Sequence, residues 1–145
     1  MNTHRTSVVV DAPSETVWRL LSEVTHWPRW LSTVDSVEAL DGDALVAGHR
    51  FEVHQPRLKP AVWTVTAVDP LRRFEWRAHS PGMRMVADHV LERLGPDRTL
   101  VRLQFEFRGV VGTLLGRIFA STTARYVEQE AQALKVAAEQ ASSPA

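Results

Sequence analysis

The chain has no cysteine. That excludes disulfide staples, a thiolate nucleophile and cysteine-ligated zinc. It also lacks a basic block: 17 Lys and Arg balance 17 Asp and Glu along 145 residues. Nucleic acid is bound through clustered positive charge, so this balance argues against a nucleic-acid partner. Lysine is scarce, Lys59 and Lys135 standing against 15 arginines, which reads as genome composition rather than phosphate recognition. There is no Gly-rich phosphate loop, no Gly-x-Ser-x-Gly elbow and no His-x-x-x-His pair. Neither a metal nor a cofactor is therefore expected.

Long apolar runs are missing too. The longest, Val110 to Ala120, is interrupted by Gly112, Gly116 and Arg117, whereas a membrane span needs about 20 apolar residues. The opening Met1-Asn-Thr-His-Arg-Thr-Ser7 has no apolar stretch of the secretory kind. The expectation is a soluble, cytoplasmic protein without stable membrane insertion, a monomer or homodimer. Its length suits one domain over 1–145, with 141–145 a frayed tail.

What is present is alternation. Thr6 to Val10 is β-branched and stops at Asp11-Ala12-Pro13. Ser14 stands at a helix start as an N-cap, and Val17, Leu20, Leu21 and Val24 follow at helical spacing. A second short helix is predicted over Trp27 to Leu31, then a weak strand from Val34 to Leu40. After Gly48 the pattern is period two. Phe51 and Val53 share a face, as do Trp63, Val65 and Ala67, then Phe74, Trp76 and Ala78. Met83, Met85, Ala87, His89 and Leu91 form the next set, and Val101, Leu103, Phe105 and Phe107 the last. Short turns between them predict an antiparallel meander. From Thr113 to Gln140 there is no proline and only Gly116 among glycines, which predicts one terminal helix about 40 Å long. Such a helix would cover the apolar sheet face and leave a cavity beneath it.

Local motifs carry a resemblance. Val9-Val-Asp-Ala-Pro-Ser-Glu-Thr-Val-Trp18, Trp27-Pro-Arg-Trp-Leu31 and Gly48-His-Arg-Phe51 are similar to the opening segments of the START-like helix-grip superfamily. Trp63-Thr-Val-Thr-Ala-Val-Asp-Pro70, Arg72-Arg-Phe-Glu-Trp76 and Leu134-Lys135 with Glu139 resemble its later ones, and Arg98-Thr99 stands where Gly-Thr is usual. The chain most resembles the polyketide cyclase/dehydrase-type bacterial members. The resemblance implies an α+β helix-grip fold: a curved antiparallel seven-stranded sheet, two short helices after strand 1, and a long C-terminal helix over the concave face. It also implies a hydrophobic small-molecule partner such as a lipid, sterol or polyketide-like chain.

Strand parity sends nearly all polar residues outward and leaves His89 as the inward exception. A histidine there can fix a ligand carbonyl or move a proton. Tyr126, the sole tyrosine, lies on a helix stripe with Leu115, Phe119 and Thr122. His89 and Tyr126 are the catalytic candidates if a reaction occurs. Trp30, Phe51, Trp63, Phe74 and Trp76 offer flat walls, while Met83, Met85, Leu103 and Phe105 give an adaptable lining. Glu130 is close to the helix stripe, where it would be a lone acid, but a solvated flank is the favoured place for it. His4, His26, His49, His54 and His79 fall near element ends or on the polar parity. The segment Gly109 to Phe119 suits either a lid beside the Gln55-to-Pro60 loop or a tight turn whose small residues allow close packing. Two functions fit: binding of an apolar ligand, or a cyclase or dehydratase reaction in the same cavity. A protein-interaction role would need an exposed apolar patch, which the polar outer strand faces do not suggest.

Overall fold

A computed structural model describes residues 2–143. Seven antiparallel strands form one sheet in the order β1-β7-β6-β5-β4-β3-β2. They are β1 (Asn2–Val10), β2 (Ser36–Ala39), β3 (Arg50–His54), β4 (Ala61–Asp69), β5 (Arg73–Ser80), β6 (Met83–Gly95) and β7 (Arg98–Arg108). Helix α1 (Ser14–Ser22) and a 3-10 helix (Val24–Arg29) follow β1, and α2 (Val110–Ile118) and α3 (Ala120–Ser142) follow β7. The predicted period-two faces are those that turn inward: Phe51, Phe74, Trp76, Val101 and Leu103 are buried, and Leu134 of α3 meets them. A bulge between Val65 and Ala67 adds an unpaired residue to β4, and such bulges bend a sheet.

Local expectations need correcting at five places, the terminal helix among them. β1 starts at Asn2 rather than Thr6, because β7 supplies backbone partners along its whole length, from Asn2 opposite Phe107 to Val10 opposite Thr99. β2 is shorter than Val34–Leu40 and spans Ser36–Ala39. The second helix begins at Val24 and is of the tighter 3-10 type. Its Trp27 indole donates to the Leu21 carbonyl at 3.0 Å, pulling the turn back against α1.

Ser14 is not an N-cap. Pro13 occupies that position, and the Ser14 hydroxyl is 3.0 Å from Thr99 Oγ1. Thr99 donates its only hydroxyl proton to the Ala12 carbonyl at 2.9 Å, so Ser14 must donate to Thr99. This buried chain of two hydrogen bonds ties the start of β7 to the β1–α1 corner. Thr99→Val would strand a buried hydroxyl and a carbonyl, and should cost about 1–3 kcal/mol of stability in chemical denaturation.

The terminal helix is two helices. The chain breaks at Phe119, whose carbonyl receives the Thr123 hydroxyl at 2.9 Å. No proline is needed for this. Ile118, Thr122 and Thr123 are β-branched poor helix formers, and the Phe119 carbonyl accepts from both the amide and the hydroxyl of Thr123, each at 2.9 Å. The two pieces also follow different tracks. α2 lies on β6 and β7 at the end of the sheet, whereas α3 runs along β1 and against α1. The turn into α2 requires glycine at 109: its φ is 89°, and a Cβ there would sit 2.5 Å from the Gly82 carbonyl oxygen.

The far end of α3 is clamped to β1. Lys135 Nζ donates to the Val9 carbonyl at 2.9 Å and to Glu139 Oε2 at 2.6 Å, and the Asp11 amide donates to the same oxygen at 2.8 Å. The Lys135 ammonium, and then the Asp11 N–H, hold the Glu139 carboxyl below its ordinary value. A carboxyl lowered in the folded state adds stability above its unfolded value and loses it as pH falls through the folded one. Glu139→Gln should therefore lose stability at neutral pH and show a shallower decline on acidification below about pH 4.5, read as denaturation midpoint against pH.

Candidate ligand cavity

Between the concave sheet face and the α2–α3 junction lies a cavity of about 330 Å3. It exists because α3 seats small residues directly on the sheet at one end only. Ala131, Leu134 and Ala138 are fully buried there, whereas Thr122 and Tyr126, nearer the break, stand over the opening. The sheet wall is aromatic. Trp63 lies 5.6 Å from Trp76 and 6.0 Å from Phe105, ring to ring, and Phe105 is 5.1 Å from Phe107. Met83, Met85 and Leu103 fill the gaps between the rings, and Leu115 and Phe119 close the helix side. Leu58 and Lys59 of the β3–β4 loop face them across the mouth.

Three of the predicted lining residues lie elsewhere. Phe51 and Phe74 are fully buried in the core beneath the cavity floor, where the ring packing of Trp27 and Trp76 consumes their surface. Trp30 lines a shallow outer cleft with Arg29, Ala133 and Val136, on the other side of α3. The remaining eleven, including His89 and Tyr126, line the cavity.

His89 is the central polar group, 2% exposed. Its ring stacks on Phe74, directly opposite on β5, with centroids 4.0 Å apart and planes 10° from parallel. Trp27 and Trp76 stand edge-on around it. Nδ1 is 3.2 Å from the Phe74 carbonyl, which can only accept, so Nδ1 carries a proton. Nε2 is 3.4 Å from Glu130 Oε2. The order is thus Phe74 carbonyl, His89, Glu130, with the carboxylate on the cavity side.

Glu130 is the residue that sequence reading placed wrongly. It lines the cavity rather than forming a solvated flank. The signal was present: Thr122, Tyr126 and Glu130 are spaced by four, and residues four apart share a helix face. Trp27, Val53 and, from the β3–β4 loop, Gln55, Leu58 and Lys59 are further lining groups. Another unforeseen cluster, Glu38, Glu52 and His54, brings one donor atom each within 4.8 Å on β2 and β3. Glu38 and Glu52 pair directly across the strands, and His54 Nε2 lies 2.8 Å from Glu52 Oε1 but off the line of a hydrogen bond. None of its members lines the cavity.

The architecture and cavity can now be set beside known proteins. A family profile described as "Polyketide cyclase / dehydrase and lipid transport" matches residues 1–139. The chain belongs to this family. Its fold is the helix grip of START-like proteins. The Zhui aromatase/cyclase from a Streptomyces species superposes with a TM-score of 0.79 at 19% identity, over 95% of this chain and 93% of that one. A START superfamily protein from Mycobacterium smegmatis gives 0.72 at 17% identity, over 96% and 98%. The di-domain aromatase/cyclase BexL gives 0.73 at 24% identity, over 99% of this chain but 48% of BexL, so this chain spans about half of it. No curated protein matches. Among the described residues no helix is long and apolar enough to cross a membrane.

The His89–Glu130 contact makes a stability prediction. Glu130→Leu would remove the carboxylate 3.4 Å from His89 Nε2, costing about 0.5–1.5 kcal/mol. A double-mutant cycle with His89→Phe, which preserves the stacking, should return a coupling of about 0.5–3 kcal/mol in denaturation experiments.

Proposed function

We propose that the chain encloses an apolar small molecule, lipid, sterol or polyketide-like, whose polar end rests against His89, Glu130 and Tyr126. One observation carries this reading: the cavity walls are mostly aromatic, aliphatic and thioether side chains, and the polar group set deepest among them is His89, 3.4 Å from the Glu130 carboxylate. Removing about 300 Å2 of ligand surface from water at about 25 cal/mol per Å2 gives about 7.5 kcal/mol, the scale of micromolar binding before ordering costs. Family membership agrees with such a ligand.

Ala87 lines the cavity beside His89. Ala87→Trp fills it, and should weaken a fluorescent fatty-acid probe at least tenfold, about 1.4 kcal/mol, with the fold intact. Native mass spectrometry of the purified chain should also reveal a bound apolar species. Absence of any bound species, together with a probe affinity indifferent to Ala87→Trp, would exclude the reading.

A second reading is a cyclase- or dehydrase-type reaction in the same space. The observation favouring it is the His89–Glu130 pair, in which the Glu130 carboxylate, 3.4 Å from His89 Nε2, can accept a proton from a substrate carbon. Opposite it, Tyr126 can donate to a carbonyl oxygen as an adjacent carbon loses its proton. The two readings separate on a polyketide-like substrate: enzyme carrying both His89→Phe and Tyr126→Phe must change the product profile if the chain is a catalyst.

A further inference from the structure

Helix α2 is built inside out. Its inward positions are Gly112 and Gly116, packed against Met83 and Asn2 so closely that a Cβ would come within 3.2 Å and 2.7 Å of those side chains. Apart from Leu115, which turns to the cavity, its apolar residues point away from the protein: Val110 is 87% exposed, Leu114 59% and Ile118 61%, with Val111 and Phe119 beside them. The glycine contacts hold this orientation, because rolling the helix to bury Leu114 would drive its bulk into β1 and β6. Across the cavity mouth Leu58 adds another exposed side chain. The apolar patch that the outer strand faces lack is therefore at the mouth. Contiguous exposed apolar surface of this kind marks an interaction site.

The charge around it has one sign. No Asp or Glu occurs from Val53 to Val68, from Ala78 to Ala87, or from Phe107 to Val127. These segments contain the β3–β4 loop, the β5–β6 turn under α2, and α2 with the start of α3. They carry Arg57, Lys59, Arg117 and Arg125, all exposed. A chain that is neutral overall thus has a cationic, greasy pole. A second copy docked two-fold on this pole would set those cations against one another, and nucleic acid has no place for the outermost valine, leucine and isoleucine.

Given the reading of the cavity as an apolar-ligand site, on which this step rests, we propose that the mouth docks on an anionic lipid bilayer. The outer face of α2 enters the headgroup boundary, and Arg57, Lys59, Arg117 and Arg125 meet lipid phosphates. Ligand then passes between bilayer and cavity past Leu58 and Phe119 without crossing water.

The test is flotation of the full chain with vesicles of phosphatidylcholine alone or mixed with phosphatidylglycerol, at low and high salt. The chain should float with the mixed vesicles, and do so less as salt rises. Each cation at an anionic surface contributes about fivefold, so Arg57→Glu with Arg117→Glu should lower binding at least tenfold. Leu114→Ser with Ile118→Ser should abolish it. None of these four residues lines the cavity, so fatty-acid probe binding measured in the same variants should not change. No flotation, or flotation equal in both variants and the parent, overturns the docking proposal, as does capture of an acidic protein without flotation. Probe binding that persists in such a result leaves the carrier reading standing. Flotation without any probe binding removes the carrier reading and leaves the docking face.

Discussion

The structure depends on how a long helical cover is fixed to a curved sheet at one end and held off it at the other. At the fixed end, the alanines of α3 and Leu134 lie on the core, and Lys135 and Glu139 fasten the helix to β1 through Val9 and Asp11. A helix is straight over this length and the sheet is not, so contact at one end forces separation at the other. The separation is the cavity. The break at Phe119 then lets α2 turn onto β6 and β7 and narrow the opening from the side.

Inside that space the chemistry follows from scarcity. Aromatic rings and thioethers cannot satisfy a buried polar atom, so His89 must find its partners locally. The Phe74 carbonyl takes one ring nitrogen and Glu130 the other. The cross-strand partner thus supplies both the stacking surface and the fixed tautomer, which leaves Nε2 as the ring nitrogen turned toward Glu130. In the proposed reading, binding and catalysis would draw on the same three groups, His89, Glu130 and Tyr126.

Much of the fold was legible because a half-buried sheet writes its pleat into the sequence. The strands from Phe51 to Phe107 alternate cleanly, and their inward faces are the observed ones. The inward turn of His89 could be read from parity for the same reason. What parity cannot read is depth. Phe51 and Phe74 point inward but lie below the cavity, and Trp30 belongs to a turn whose direction is set by tertiary contact. The helix end was harder again. Periodicity over residues 113–140 has no term for the weak helix propensity of Ile118, Thr122 and Thr123, nor for the choice between two tracks on the sheet. Ser14 fits a capping pattern, and its hydroxyl went to Thr99, a partner 85 residues away that no local rule contains.

Balanced composition concealed the remaining feature. Equal numbers of acids and bases argue against a strongly charged partner only if they are mixed in space. Here the acids are absent from the three segments that meet at one end of the sheet. The same segments hold the glycines that let α2 approach β1 and β6 closely, and close approach is what turns its larger side chains outward. A conventional amphipathic helix would bury Leu114 and Ile118 and close the mouth with core packing. Glycine on the inner face does the opposite: it brings the helix near enough to roof the cavity while leaving its apolar side without a protein partner. The stability forgone by that arrangement is recovered only where something apolar covers it, and the cations around it select a surface of negative charge.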